Sequence, residues 1–332
     1  MTLVGVFTMS ISMLNRFVGF LLLVVALSAS AQQSVYPSRA IRLIDPFPPG
    51  GAVDLVTRSM AQKLTEALGQ PVVSENKPGA GTNIGTEAAV RAAPDGYTFL
   101  ITSSAVATNV SLFKKLPFDP VRDLTPVGLL VQTPLILAVN PTVPVKSVQE
   151  LIDLAKASPG RVVYGSSGTG SSGHLSVELF RTLANIDLLH VPYKGGAPAL
   201  LAVMAGEVQV NIGNITVALP QAKAGKIRAL AITSANRVEL APDLPTVAEA
   251  GVPGYEAIGW YAMFAPAGTP QAIVNRLNAE INKILKTPDV RERFLGVGMV
   301  PLGGSAQALA DYHKLEIARW AKVIKAAGIK PE

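Results

Sequence analysis

The run Gly165-Ser-Ser-Gly-Thr-Gly-Ser-Ser-Gly-His174 gathers glycines and hydroxyls at what reads as a strand-to-helix turn. Ser167, Gly168, Thr169, Ser171 and Ser172 offer side-chain hydroxyls and backbone N–H donors. Oriented N–H groups beside a helix N-terminus attract an anion. The run has no lysine, so it is not a phosphate-gripping loop. Gly168-x-Gly170-x-x-Gly173 has the spacing of a dinucleotide fingerprint, but the next strand ends in Pro192 rather than in the acid a ribose requires. Donors without a fixed cation suit a carboxylate, with one or more waters between. A plain turn and a nucleotide site remain the alternatives at this point.

A second set lies at Phe47-Pro-Pro-Gly-Gly51, where Pro49, Gly50 and Gly51 precede a helix. Adjacent glycines allow a ligand to approach the backbone. Asp54 falls at or near the helix start, where it either caps the helix or meets a ligand amine. Ser103 and Ser104 follow a strand, and Asn214 and Thr216 stand in the analogous place of the second half. Capping or turn formation is an equal role for each.

Catalytic residues are scarce. The chain has no cysteine, which excludes disulfides, thiolate nucleophiles, Cys-ligated metal sites and a lipid anchor on an N-terminal Cys. The nearest of its three histidines, His174 and His190, are 16 positions apart, so no His-x-x-x-His metal helix exists. The glycine run lacks the Gly-x-Ser-x-Gly nucleophile pattern. His174 reads as an exposed or capping residue in a first helical turn, His190 as packed in a strand, and His313 as a member of the last helix. Trp260 and Tyr261 read equally as pocket wall or core. Nothing specifies an acid–base pair, so the expectation is a binding protein without enzymatic activity, cofactor or metal.

These groups must be positioned by a chain of 332 residues, of which 49% are apolar and 16% charged. That is well below the usual ~25% charged, which excludes a disordered polyelectrolyte and suits about two domains. The net charge of +6 is not clustered. No basic stripe or recognition helix is present, so nucleic acid is excluded as a partner. Arg16, the eleven-residue apolar run from Phe17 to Leu27, and Ala29-Ser30-Ala31 make an export signal, too short to span a membrane. Cleavage is expected before Gln32, giving a soluble periplasmic protein. The translation start is open among Met1, Met9 and Met13.

Short β-rich runs alternate with amphipathic segments. Strands are expected at 41–45, 72–74 and 98–102, with helices at 54–68 and from an Asn83 cap to 92. This order argues for a parallel sheet with helices on both faces. Residues 112–126 read as irregular. The apolar run 127–139, interrupted at Pro134, is too long for one ordinary strand and reads as one that leaves one domain and enters another. The second half repeats the rhythm: helices at 148–157, 173–183, 196–205 and 216–224, and strands at 161–165, 187–191, 208–212 and 227–233. A strand at 260–264 and helices at 270–285 and 306–327 follow.

From about Tyr36 to Ala327 the sequence resembles the Bug, or TctC-like, solute-binding family, the periplasmic receptors of tripartite tricarboxylate transporters. The blocks are Pro46-Phe-Pro-Pro-Gly-Gly-Ala-Val-Asp54 with Arg58, Glu75-Asn-Lys-Pro-Gly-Ala-Gly81 with Asn83-Ile-Gly85, Ala93-Pro-Asp-Gly-Tyr97 and Leu116-Pro-Phe-Asp-Pro120. The second half carries the Gly165–Leu175 run, Val191-Pro-Tyr-Lys-Gly195, Asp243-Leu-Pro-Thr246 with Glu249-Ala-Gly251, and Ala265-Pro-Ala-Gly-Thr-Pro270. The resemblance implies an α/β fold, a two-lobed type II periplasmic-binding clamshell, each lobe a mostly parallel sheet flanked by helices. The expected division is 1–31 signal, 32–130 first lobe, 131–250 second lobe and 251–332 return. It implies a small organic acid in the interlobe cleft, membrane permease subunits as partners and a monomeric receptor. Thr82 stands where the family usually has Gly, and Ala52-Val53 replaces a small hydroxylated stretch. A sensory receptor for a membrane signalling protein and an exported enzyme acting on a small acid remain as the other readings. The expected grip is neutral, through the N–H groups of Gly50, Gly51, Gly168 and Thr169.

Overall fold

The computed structural model describes residues 36–329 and 331, so the expected export signal lies outside the described residues. The chain divides into Met1–Ser38, of which only 36–38 are described, and a compact unit, Arg39–Glu332.

The compact unit opens β1 (Ile41–Asp45), α1 (Ala52–Leu68), β2 (Val72–Asn76), α2 (Asn83–Val90), β3 (Thr98–Ser103) and α3 (Ala105–Leu112). β1 pairs in parallel with both β2 and β3, the expected β-α-β-α-β arrangement. The strand β4 (Leu124–Val139) follows, then α4 (Val148–Ala157), β5 (Val163–Ser166), α5 (Ser172–Ala184), β6 (Leu189–Pro192), α6 (Gly196–Ala205), β7 (Val210–Asn214), α7 (Ile215–Lys223) and β8 (Arg228–Ile232). β9 (Ile258–Pro266), α8 (Gln271–Ile284), α9 (Pro288–Leu295), β10 (Val300–Pro301) and α10 (Ala306–Ala326) complete it.

The long apolar run is a single strand with two sets of partners. Residues 124–134 of β4 pair with β9, and residues 135–139 pair with β7 and β8. Its second half is covered on both faces. Leu135, Leu137 and Val139 point into one apolar cluster, and Ile136 and Ala138 into another. Burial on both faces is why the sequence there is continuously apolar rather than alternating.

Strand direction then fixes where loops meet. β9 runs antiparallel to β3 and to β4, so β4 runs parallel to β1 and β3 and leaves the first group of strands at their carboxyl edge. β7 runs antiparallel to β4, with Leu135 opposite Asn214, so β4 enters the second group beside the carboxyl end of β7. β5 and β6 are parallel to β7. The carboxyl edges of both groups therefore meet at Pro134–Leu135, where ligands of open α/β sheets bind.

Helix α10 packs on both groups. Leu309, Tyr312 and Ile317 lie on the cluster of β1, β3 and β9, whereas Trp320 and Ile324 lie on that of β4, β5 and β7. Between them Glu316, 1% exposed, accepts hydrogen bonds at Oε2 from the indole N–H groups of Trp260 and Trp320, each at 3.0 Å. Trp260 is thus core rather than pocket wall.

Two helices escape the sequence reading. α3 occupies residues to which the sequence reading assigned no element, because Ala105-Val-Ala-Thr-Asn-Val-Ser-Leu112 has no one-sided apolar stripe; packing against α10 makes it helical. α9 starts at Pro288, a favoured first-turn residue. Asn83 begins α2 rather than capping it. The cap position is Thr82, at φ +85°, in the left-handed region that favours glycine.

Replacing Glu316 with Leu leaves two indole N–H groups dry and unpaired. We expect a loss of about 2–4 kcal/mol, read from urea unfolding, with Glu316→Gln retaining most of the stability because its carbonyl oxygen still accepts.

Candidate functional site

The loop between β1 and α1 ends at Gly51, the residue that caps α1. Asp54 therefore sits in the first helical turn and does not occupy the cap position. Its carboxylate is buried and accepts from Gly50 N–H at 3.0 Å, Arg58 Nε at 2.8 Å and Asn76 Nδ2 at 3.1 Å. Burial acts to raise its pKa, but the Arg58, Gly50 and Asn76 bonds prevail and hold it below the ordinary range. Gly50 N–H is consequently spent inside the protein, contrary to expectation. Gly51 N–H and those of Ala52, Val53 and Asp54 have no backbone partner among the described residues. They are the orphan donors of a helix start. Pro49, Gly50 and Gly51 are exposed.

Beneath this loop lies Asp45, the buried acid that closes β1 after Leu43 and Ile44. Oδ1 accepts Phe47 N–H at 2.9 Å and Oδ2 accepts Asn76 Nδ2 at 3.2 Å. Burial pushes its pKa up to about 7, the Phe47 N–H opposes this, and the neighbouring Asp54 charge adds to the rise. Asn76 thus bridges two carboxyl groups in different charge environments. The sequence reading missed Asp45, although an acid directly after Leu43 and Ile44 was the available signal.

In the second half the glycine run is closed by its own side chains. Ser171 caps α5, its Oγ accepting His174 N–H at 3.2 Å, a role the sequence reading did not weigh for it. Ser166 Oγ accepts Gly168 N–H at 3.2 Å, so the second expected glycine donor is also spent internally. Gly168 and Gly170 have φ of +122° and +78°, conformations that suit glycine. Thr169, Ser172 and Gly173 N–H have no backbone partner among the described residues. Ser167 and Ser172 are half-buried and Thr169 exposed.

His174 is not exposed. It is 3% exposed and stacked 4.1 Å from His190, which stacks 4.7 Å from Tyr164. His190 Nε2 lies 2.7 Å from Ser166 Oγ. Burial, the other ring and Arg181 push His174 down to about 3; burial and Arg181 push His190 down to about 4. Both rings are neutral at neutral pH. The 16-residue separation hid this pair: β5–β6 register brings Tyr164 beside His190, and His174 reaches His190 from the first turn of α5. The Ser166–His190 contact has the spacing of a nucleophile and base, but Ser166 is fully buried and its hydroxyl also bonds within the loop.

At the crossing of β4, Thr133 Oγ1 donates to Asn214 Oδ1 at 2.9 Å and Asn214 Nδ2 to Tyr261 Oη at 3.1 Å. Burial pushes Tyr261 up to about 12. Ser103 lies opposite Tyr261 in the β3–β9 register, and its Oγ accepts Ala105 N–H at 3.2 Å. Ser104 precedes α3 and its N–H donates to Trp260 O. Thr216 Oγ1 is buried without a hydrogen-bond partner among the described residues. Thr108 of α3 reaches across to Gly170 O at 3.3 Å. Asn214, Ser103 and Ser104 are thus drawn together around one crossing, with the two glycine loops at the carboxyl edges it joins. His313 is elsewhere, buried edge-on to Trp260 and Phe264. Among the described residues no cluster of His, Asp and Glu could hold a metal ion, and no helix is long and apolar enough to cross a membrane.

Strands whose carboxyl edges converge, with a shared strand between two helix-covered groups, define the α/β solute-binding class of two-lobed proteins. The chain belongs to the TctC family, the tripartite tricarboxylate transporter family receptors, whose model matches residues 56–329. It is 37% identical over 324 residues to BugT of Bordetella pertussis, covering 97% of this chain and 99% of that one. Among solved structures, Rpa4515 of R. palustris with adipate superimposes with a TM-score of 0.85 at 41% identity, covering 90% of this chain and all of the other. MatC of Rhodopseudomonas palustris with bound malate gives 0.80 at 34% identity, covering 87% and 100%.

Asp45 gives a signed pH test. Its folded pKa of about 7 exceeds the ordinary aspartate value of 3.8, so its contribution is fully present below about pH 4 and is lost as pH rises through 7. Asp45→Asn should therefore gain stability relative to the parent between pH 5 and pH 8, by about 1 kcal/mol or more. Urea midpoints at the two pH values check it; an equal difference at both would contradict it.

Proposed function

We propose that this protein is an extracytoplasmic receptor that captures a small organic acid between two lobes and delivers it to the membrane permease of a tripartite transporter. The observation that carries this is the meeting of two helix starts with unpaired N–H groups, at Gly51–Asp54 and at Thr169, Ser172 and Gly173, on carboxyl edges that converge at one strand crossing. Such donors hold an anion without changing it. Adipate and malate in the two related structures support a carboxylate as the ligand class.

In this reading residues 1–31 are the export signal and Gln32 begins the mature periplasmic chain. Residues 32–130 form the first lobe, 131–250 the second, and 251–332 return to the first. The receptor acts as a monomer. Ligand contacts come from Pro49, Gly51, Ser103, Ser104, Ser167, Thr169, Ser172, Asn214 and Thr216. Gly50, Asp54, Gly168 and Ser171 shape the loops from within. Arg58, on the helix that follows the first loop, is paired with Asp54, so the grip on the acid is made by neutral donors.

Native mass spectrometry of the mature chain with C4–C8 mono- and dicarboxylates tests this. One small acid per chain is expected, recovered unchanged after long incubation. Ser172→Ala should weaken binding by about 1.5–3 kcal/mol, the range for a hydrogen bond to a charged group. Failure to bind any acid, or turnover abolished by changing one cleft residue, would overturn the receptor.

A further inference from the structure

The buried ring pair in the second half has no role in the receptor reading above, yet it touches the donor loop at both ends. His174 Nδ1 accepts Gly170 N–H at 3.0 Å. An accepting Nδ1 places the ring proton on Nε2, which faces Glu178 Oε1 at 4.0 Å. Glu178 is itself held by Tyr164 Oη at 2.5 Å and by Arg181 Nη1 at 2.8 Å, so a fixed carboxylate stands on the protonated side of the ring. At the other end His190 meets Ser166 Oγ, which accepts Gly168 N–H. The stacked rings thus reach two alternate glycine N–H groups, one directly and one through Ser166. Between and after these glycines, Thr169 and Ser172 carry unpaired N–H groups.

We propose that His174, backed by His190, is a positioning residue for ligand binding: by accepting Gly170 N–H at Nδ1 it fixes the turn that presents Thr169 and Ser172 as anion donors. The ligand side of this proposal rests on the receptor reading; the loop side does not. The histidine does not touch ligand. It works by removing one donor from the loop and thereby orienting the others. Three side chains separate this from simple packing. Asparagine puts an acceptor oxygen near the place of Nδ1 but leaves the larger void. Glutamine fills more space but carries its amide out toward the place of Nε2. Leucine fills space without an acceptor.

The test compares His174→Asn, His174→Gln and His174→Leu with the parent chain. Calorimetry with adipate and with malate gives affinity, and amide hydrogen exchange without ligand gives the protection of Gly170. Thermal unfolding is followed in parallel. Expected is affinity within about threefold of the parent for the Asn variant and at least tenfold weaker for Gln and Leu, with Gly170 protection following the same order. Affinity and protection that follow retained volume, with Asn the worst, would overturn the proposal and leave a packing role. If the parent binds neither acid, the choice of ligand fails on its own, and exchange at Gly170 still decides the proposal. Equal protection in all three variants would overturn it.

Discussion

The structure depends on one strand serving two groups of partners. Because β4 crosses from the first group to the second at Pro134–Leu135, both carboxyl edges are brought to the same place, and every loop after a parallel strand faces that crossing. The hydrogen-bonded series Thr133–Asn214–Tyr261 ties the crossing to β7 and β9. Helix α10 adds a second tie, packing on both groups with Glu316 held between two indoles. Relative motion of the two groups must therefore turn about β4 and β9 while α10 repacks or bends.

The two donor loops share a design in which the chain spends some of its own N–H groups to orient the rest. In the first loop Asp54 takes Gly50 N–H; in the second Ser166 and His174 take those of Gly168 and Gly170. A loop held by internal acceptors keeps its remaining donors in place before an anion arrives, which lowers the ordering cost of binding. Asp45 adds a titrating group beneath the first loop, so the field there changes near neutral pH without any histidine in the first loop.

Much of this was legible in the residues. β1, α4 and α6 fall at the limits read from period, caps and glycines, because each has a one-sided or strongly bounded apolar pattern. The glycine loops were legible because few other residues adopt their backbone. The occupancy of their N–H groups was not, since it depends on which side chain the loop's exact turn folds back onto the backbone, as His174 is onto Gly170. α3 was hidden by tertiary packing that overrides weak local preference. The His174–His190 pair was hidden because it needs two long-range events: β5–β6 register sets His190 beside Tyr164, and α5 then lays His174 on the His190 ring, neither of which spacing alone reveals. Thr82, noted only as a departure from glycine, turns out to hold a left-handed backbone with its side chain buried.

The central claim is that an acid bridges the two carboxyl edges and draws the two strand groups together. The absence of cysteine allows a direct measurement, because Gln62→Cys on α1 and Lys223→Cys on α7 place the only two thiols at exposed positions, one on each group. Spin labels there, measured with and without a saturating carboxylate from the set that binds, should show a broad or long distance giving way to a shorter, narrower one. An unchanged distance distribution while the acid is bound would contradict the account.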